Sequence, residues 1–180
     1  MKIKSLLTVI LLFLCSTMIF SQAQKSLQPH QGKIQSIVES ANNTFYTAGD
    51  DGFVVKWLPD GTGEHFQISD LEIKLIAVSP NGTDIAVYET DGFSIHRVSE
   101  WNWKTLTRKN AKRFTDSIVS LEYSAKGTYL MAGTSSVDGM LFLDPKNKLT
   151  PLSVVKDFTG TVTGAKTGKT EKSVLMYSPQ

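Results

Sequence analysis

The chain has 180 residues, 19 Lys and Arg against 17 Asp and Glu, a hydrophobic fraction of 41% and one cysteine. Two of the cations, Lys2 and Lys4, stand at the extreme N-terminus, so the remainder is formally neutral and has no overall charge to drive nonspecific nucleic-acid binding. Cys15 also falls within the first 23 residues, so everything after them lacks a disulfide, a thiol nucleophile and a thiolate metal ligand.

Residues 1–23 read as a secretory signal. Lys2 and Lys4 form its positive start, residues 6–20 an uncharged apolar run, and Ser21-Gln22-Ala23 a small-residue cut site after Ala23. The run is shorter than the roughly 20 residues that a membrane-crossing helix needs. A lipid anchor on Cys15 would want a small residue ahead of the cysteine, where Leu14 stands. The expected product is exported, periplasmic or secreted, with no membrane association after cleavage. Residues 24–29 form a short linker.

From residue 30 onward, short apolar runs alternate with turn residues. Strands are predicted over 34–38, 44–48 and 53–57, with turns at Ala41-Asn42-Asn43 and Asp51-Gly52. A second set covers 73–78, 84–88 and 93–97, with turns at Pro80-Asn81-Gly82 and Asp91-Gly92. A third covers 118–123, 128–132 and 140–143, with turns at Ala125-Lys126-Gly127 and Asp138-Gly139. The turn aspartates Asp51, Asp91 and Asp138 are 40 and 47 residues apart. Asp-Gly between two β-like runs is a strong hairpin signal, because both central residues tolerate positive φ. Ser40, Ser79 and Ser124 recur at nearly the same period, each just after the first strand of its set. A period near 40–45 residues with four strands is that of a propeller blade. In the fourth unit 152–158 is an outer strand or linker, 161–165 a first inner strand, 166–169 a turn and 173–177 the next strand. The predicted blades are about 30–68, 69–112, 113–148 and an incomplete 149–180.

This pattern resembles the WD40 repeat family from about residue 30 onward. In that family a His, a Ser or Thr, an Asp and a Trp form a hydrogen-bonded tetrad inside the blade. The matching positions are His30, Thr47, Asp51 and Trp57. The chemistry is reasonable: a buried turn carboxylate needs partners, imidazole can accept on one side and donate on the other, and the indole donates while its ring fills the blade. Counted from Asp-Gly, the second blade has Arg97 at the tryptophan position and Val87 at the hydroxyl position. The third carries an insertion, Ser135-Ser136-Val137, and Asp144 in place of the tryptophan. The implied fold is all-β, a partial WD40-like β-propeller of about three and a half four-stranded blades. Propellers close on themselves with about 4–8 blades. The expectation is therefore an N-terminal part of a longer propeller, or a truncated reading frame, that needs further blades or another chain to complete it.

Trp101, Trp103, Arg108, Lys109 and Arg113 could form a patch for an anionic partner; the plainer reading is an outer strand whose charges discourage edge pairing. Residues 164–170 have the spacing of a phosphate loop, with Gly164, Gly168, Lys169 and Thr170, but the next segment, 171–177, is short and β-like instead of helical. His65 and His96 have no paired ligand spacing, so neither a metal nor a cofactor is expected. Asn42 and Asn81 match the glycosylation pattern and read as turn residues. The resulting expectation is a noncatalytic exported scaffold that binds a protein or ligand through loops on a rigid frame. The alternatives are the propeller portion of a larger exported enzyme, or a nonfunctional truncated product.

Overall fold

The computed structural model describes residues 30–41, 43–136, 139–156 and 161–178, and its regular structure there consists of strands alone. The expected signal and linker, and the turn residues Asn42 and Asp138, lie outside the described residues. The first sheet holds β1 (Ile34–Ser40), β2 (Thr44–Gly49), β3 (Phe53–Trp57) and β4 (Gly63–Gln67). The second holds β5 (Glu72–Val78), β6 (Asp84–Thr90), β7 (His96–Asn102) and β8 (Thr107–Phe114). The third holds β9 (Ile118–Tyr123), β10 (Leu130–Thr134), β11 (Met140–Asp144) and β12 (Thr150–Val155), and β13 (Gly164–Thr167) pairs with β14 (Val174–Tyr177). Every pairing is antiparallel between consecutive strands, so each sheet is a meander.

Stacking of the sheets follows from residue alternation. On β6, Ile85 and Val87 face the first sheet and pack with Tyr46, Ala48 and Val54. Their neighbours Ala86 and Tyr88 face the third sheet and pack with Leu130, Ala132 and Leu143. On β10 the intervening Met131 turns toward Val162 and Ala165. Strands buried on both faces lose the polar half of their alternation, which explains the runs Ile-Ala-Val-Tyr in β6 and Leu-Met-Ala in β10. Each fully buried large aliphatic side chain contributes about 1.5–3 kcal/mol. The outer strands β8 and β12 are largely exposed; β8 carries charged and polar residues, and β12 exposes Leu152 and Val154. The first strands of successive sheets, β1, β5, β9 and β13, contact one another in order.

Two sheet faces have no described sheet over them. Val38 and Tyr46 pack toward the second sheet, so the adjacent Ile37 and Phe45 point the other way and are 68% and 44% exposed. At the far end Val174 and Met176 pack toward the third sheet, and Leu175 and Tyr177 point away, 68% and 53% exposed.

Three expectations need correction. Asp51-Gly52 closes a three-residue loop in which Gly52 takes φ 73° while Asp51 keeps negative φ. A Cβ on Gly52 would lie 1.9 Å from the Ser69 carbonyl oxygen, so the residue must be glycine for space as well as for φ. Residues 93–95, expected in a strand, belong to a longer loop because the Asp91 carboxylate accepts from the backbone N–H groups of Phe93, Ser94 and Ile95, each at 2.9 Å. The blade boundaries at 112 and 148 move outward. The second sheet runs to Phe114, and 150–155, expected in the fourth unit, form the outer strand of the third. The hairpin that returns β12 needs Lys148 and Leu149 at positive φ, which their residue types do not announce.

Candidate functional site

The structure brings His30, Thr47, Asp51 and Trp57 together. Trp57 Nε1 donates to Thr47 Oγ1 at 2.9 Å, and Thr47 Oγ1 lies 2.8 Å from His30 Nε2. His30 Nδ1 is 3.1 Å from both Asp51 carboxylate oxygens. Because the Asp51 carboxylate only accepts, the imidazole proton facing it is on Nδ1, and in the neutral ring Nε2 then accepts from the Thr47 hydroxyl. Asp51 also accepts from the backbone N–H groups of Gln31 at 2.7 Å, Gly32 at 3.3 Å and Phe53 at 3.1 Å. One carboxylate therefore ties the chain ahead of β1 to the β2–β3 loop.

Burial alone would raise the Asp51 pKa; the hydrogen bonds from His30, Phe53 and Gln31 outweigh it and hold the carboxyl below its ordinary value. A carboxyl depressed in the folded state stabilises the fold above its unfolded pKa, near 3.9, and that stabilisation is lost as pH falls toward the folded value. Asp51→Asn is accordingly expected to be less stable than the parent at pH 7, with the gap closing as pH is lowered below about 4. Denaturant melts across that range measure it, and a gap independent of pH would remove Asp51 from this role.

In the second sheet the tryptophan position is Trp101, not Arg97. Trp57 pairs with Phe45 and Trp101 with Ile85, each partner being the second residue of its strand. Trp101 stands ten residues after Asp91, whereas Trp57 stands six after Asp51, so counting from Asp-Gly lands on the wrong residue. Val87 does sit opposite Ser99, in the register of Thr47 and Val55. The hydroxyl has moved to the next strand. Trp101 Nε1 donates to Ser99 Oγ at 2.8 Å, Ser99 donates to Glu89, and Arg97 pairs with the other Glu89 oxygen. In the third sheet the position belongs to Leu143, not Asp144, with Ala132 in the hydroxyl register; both are fully buried. Asp144 instead caps the following turn, accepting from Lys146 N–H at 2.8 Å.

Of the five residues of the expected patch for an anionic partner, Arg108 and Trp101 touch, and the others have separate neighbours. Trp103 stacks edge-on against Tyr46 and Trp101 against Phe66, both partly buried against the core between the first two sheets. Arg108 lies over the Trp101 ring at 5.9 Å. Lys109 pairs with Asp84 at 2.8 Å and with Glu100 at 3.7 Å; burial pulls its pKa down, and these carboxylates more than reverse that. Arg113 stands opposite Arg97. Residues 164–170 form β13 and its turn, with no helix after them among the described residues. His96 is buried with Nδ1 2.7 Å from the Tyr88 hydroxyl, apart from His65 on β4. Asn81 Oδ1 accepts from Ser79, Thr83 N–H and Thr83 Oγ1 within its turn.

Two clefts escaped sequence reading. Between the second and third sheets, a cleft of about 590 Å³ has Glu100 in its lining with Lys109, Lys126 and Lys146. Glu100 is buried and accepts from Tyr123 OH at 2.9 Å and Asn110 Nδ2 at 2.6 Å. Burial, then the Glu100 charge, push the Tyr123 hydroxyl well above its usual pKa. Between the first and second sheets, a cleft of about 550 Å³ is lined by Lys56, His65, Phe66, Trp103, Lys104 and Leu106 among others. Lys56 and Glu100 hold the same register in their sheets, opposite Tyr46 and Ala86, so the clefts are repeats of one position with different chemistry. The sequence carried no signal for Glu100, which shares the strand His-Arg-Val-Ser-Glu-Trp-Asn with a second charge, Arg97.

Stacked four-stranded antiparallel meanders, inner strand next to inner strand, define a β-propeller, here partial and unclosed. The chain belongs to the N-terminal beta-propeller domain family, whose profile matches residues 16–180. An uncharacterized protein of Treponema pallidum (strain Nichols) is 45% identical over 114 residues, which are 63% of this chain and 19% of that protein. The matched region is thus about a fifth of the relative's length.

Proposed function

We propose that the chain is a noncatalytic, exported, WD40-like scaffold that binds a protein or ligand on the rim of its blades. The observation that carries this reading is where the buried carboxylates are committed. Asp51, Glu89 and Glu100 are each bound by side chains or backbone of their own or the adjacent blade, as struts between strands. The surfaces left to meet a partner are the clefts between sheets, which present aromatic rings and lysines. Export is inferred from the signal read in residues 1–23, and further blades or another chain would cover Ile37, Phe45, Leu175 and Tyr177. The relative, of which the match takes in 19%, favours a propeller that is one part of a larger protein, and the alternative reading makes that protein an exported enzyme.

The test is chemical crosslinking on intact source cells, followed by isolation of the protein. The mature protein is expected to begin at Gln24 and to carry a discrete crosslinked partner. A product that retains residues 1–20 would refute export, and the absence of any crosslink to the folded protein would refute the scaffold.

A further inference from the structure

The turns between third and fourth strands place residues at positive φ: Gly61 at 82° in the first sheet, Leu106 at 54° in the second, and Lys148 and Leu149 at 52° and 57° in the third. Glycine accepts that conformation freely, whereas a leucine is strained by it. Packing accounts for Leu149, which is fully buried in the core with Leu121 and Leu143. Leu106 has no such reason. It is 42% exposed and stands outside the buried core clusters of the sheets. What it does is line the 550 Å³ cleft between the first and second sheets, with Phe66 and Trp103. Backbone strain retained without a packing return is a mark of a binding position, and the volume lies within the about 300–1,000 Å³ usual for ligand pockets.

The charges around this apolar cleft point to the occupant. Lys56, Glu64, His65 and Lys104 line it. Glu64 lies 3.9 Å from Lys56. Lys104 is exposed and has no ion-pair partner among the described residues. A little further along the rim Arg108 projects over Trp101.

We propose that this cleft receives an acidic peptide segment of a partner protein, which inserts a large apolar side chain against Phe66, Trp103 and Leu106 while its carboxylates pair with Lys104 and Lys56. The assignment rests on the scaffold reading and specifies its partner. Leu106 supplies an apolar wall that the glycine of the first sheet cannot, and Lys104 supplies a charge that selects the flanking residues.

An array of ten-residue peptides with a central Phe, Leu or Ala, flanked by acidic, neutral or basic residues, is probed with the full chain. The acidic peptides with central Phe or Leu are expected to bind at least tenfold more tightly than the Ala or basic versions. Leu106→Gly relieves the strain, so its melting temperature should hold or rise while binding weakens at least fivefold. Lys104→Glu should shift preference toward the basic peptides. Equal or absent binding across the array, or binding unchanged in both variants, would overturn the proposal. A cellular crosslink that persists in Leu106→Gly would overturn the cleft and leave the scaffold standing; a wild-type protein without crosslinks would sink the scaffold itself.

Discussion

Glu89→Ala is expected to destabilise the fold by about 3–5 kcal/mol, the usual result of deleting one partner of a buried ion pair. The Glu89 side chain is essentially inaccessible, and it receives both the Arg97 guanidinium and the Ser99 hydroxyl. Its removal leaves Arg97 partly buried without a countercharge. Arg97 Nε already lacks a hydrogen-bond partner among the described residues, and its Nη2 would keep only Ser69 Oγ, at 3.5 Å, among them. Trp101 would keep its bond to Ser99 while Ser99 lost its acceptor. Replacing Glu89 and Arg97 together by methionine should recover most of the loss, because a well-packed apolar pair needs no countercharge. Denaturant midpoints of the single and double variants decide it. A single variant within about 1 kcal/mol of the parent would show that the pair is dispensable.

Trp101→Ala should cost about 3–5 kcal/mol, as for other large aromatic truncations in a core, and Trp57→Ala about half as much. The two residues share a register, so the difference comes from what covers them. Trp101 packs into the cluster between two sheets, against Phe66 at 6.0 Å between ring centroids, with Arg108 above it. Trp57 belongs to the face of the first sheet that no described sheet covers, where Ile37 and Phe45 also stand. Its hydrogen bond to Thr47 is worth about 1 kcal/mol and remains the smaller part of its contribution. Equal losses for the two tryptophans would mean that the first sheet's face is covered in solution.

How much of this was legible in the sequence depended on whether one residue type admits one explanation. His30, Thr47, Asp51 and Trp57 were readable because a His, a hydroxyl, a turn carboxylate and a Trp at that spacing have few other uses together. The meander was readable because turn residues punctuate apolar runs at a steady period. The second blade misled because a register counted from Asp91 assumes a loop of constant length, and the aspartate itself organises a longer one by binding three backbone N–H groups. Alignment on the tryptophans would have found it. Glu89, Arg97 and Glu100 look like surface charges in one dimension; only the neighbouring sheet makes them interior. Leu106 and Leu149 give no local hint of positive φ, so the end of the third blade and the wall of the cleft both stayed hidden.

Because the first strands touch only in series, β1 to β5, β5 to β9 and β9 to β13, stability in this domain is laid out as a gradient. The second sheet is clamped on both faces by four-stranded neighbours, whereas the first sheet and the β13–β14 hairpin each have one side that no described sheet covers. Local opening therefore works inward from the two ends, and the second sheet is the last to come apart. The strained turn at Leu106 is mounted on that most durable sheet. A binding lip carried there keeps its shape while the flanks breathe, so the rim can hold a partner before the ends of the arc have settled.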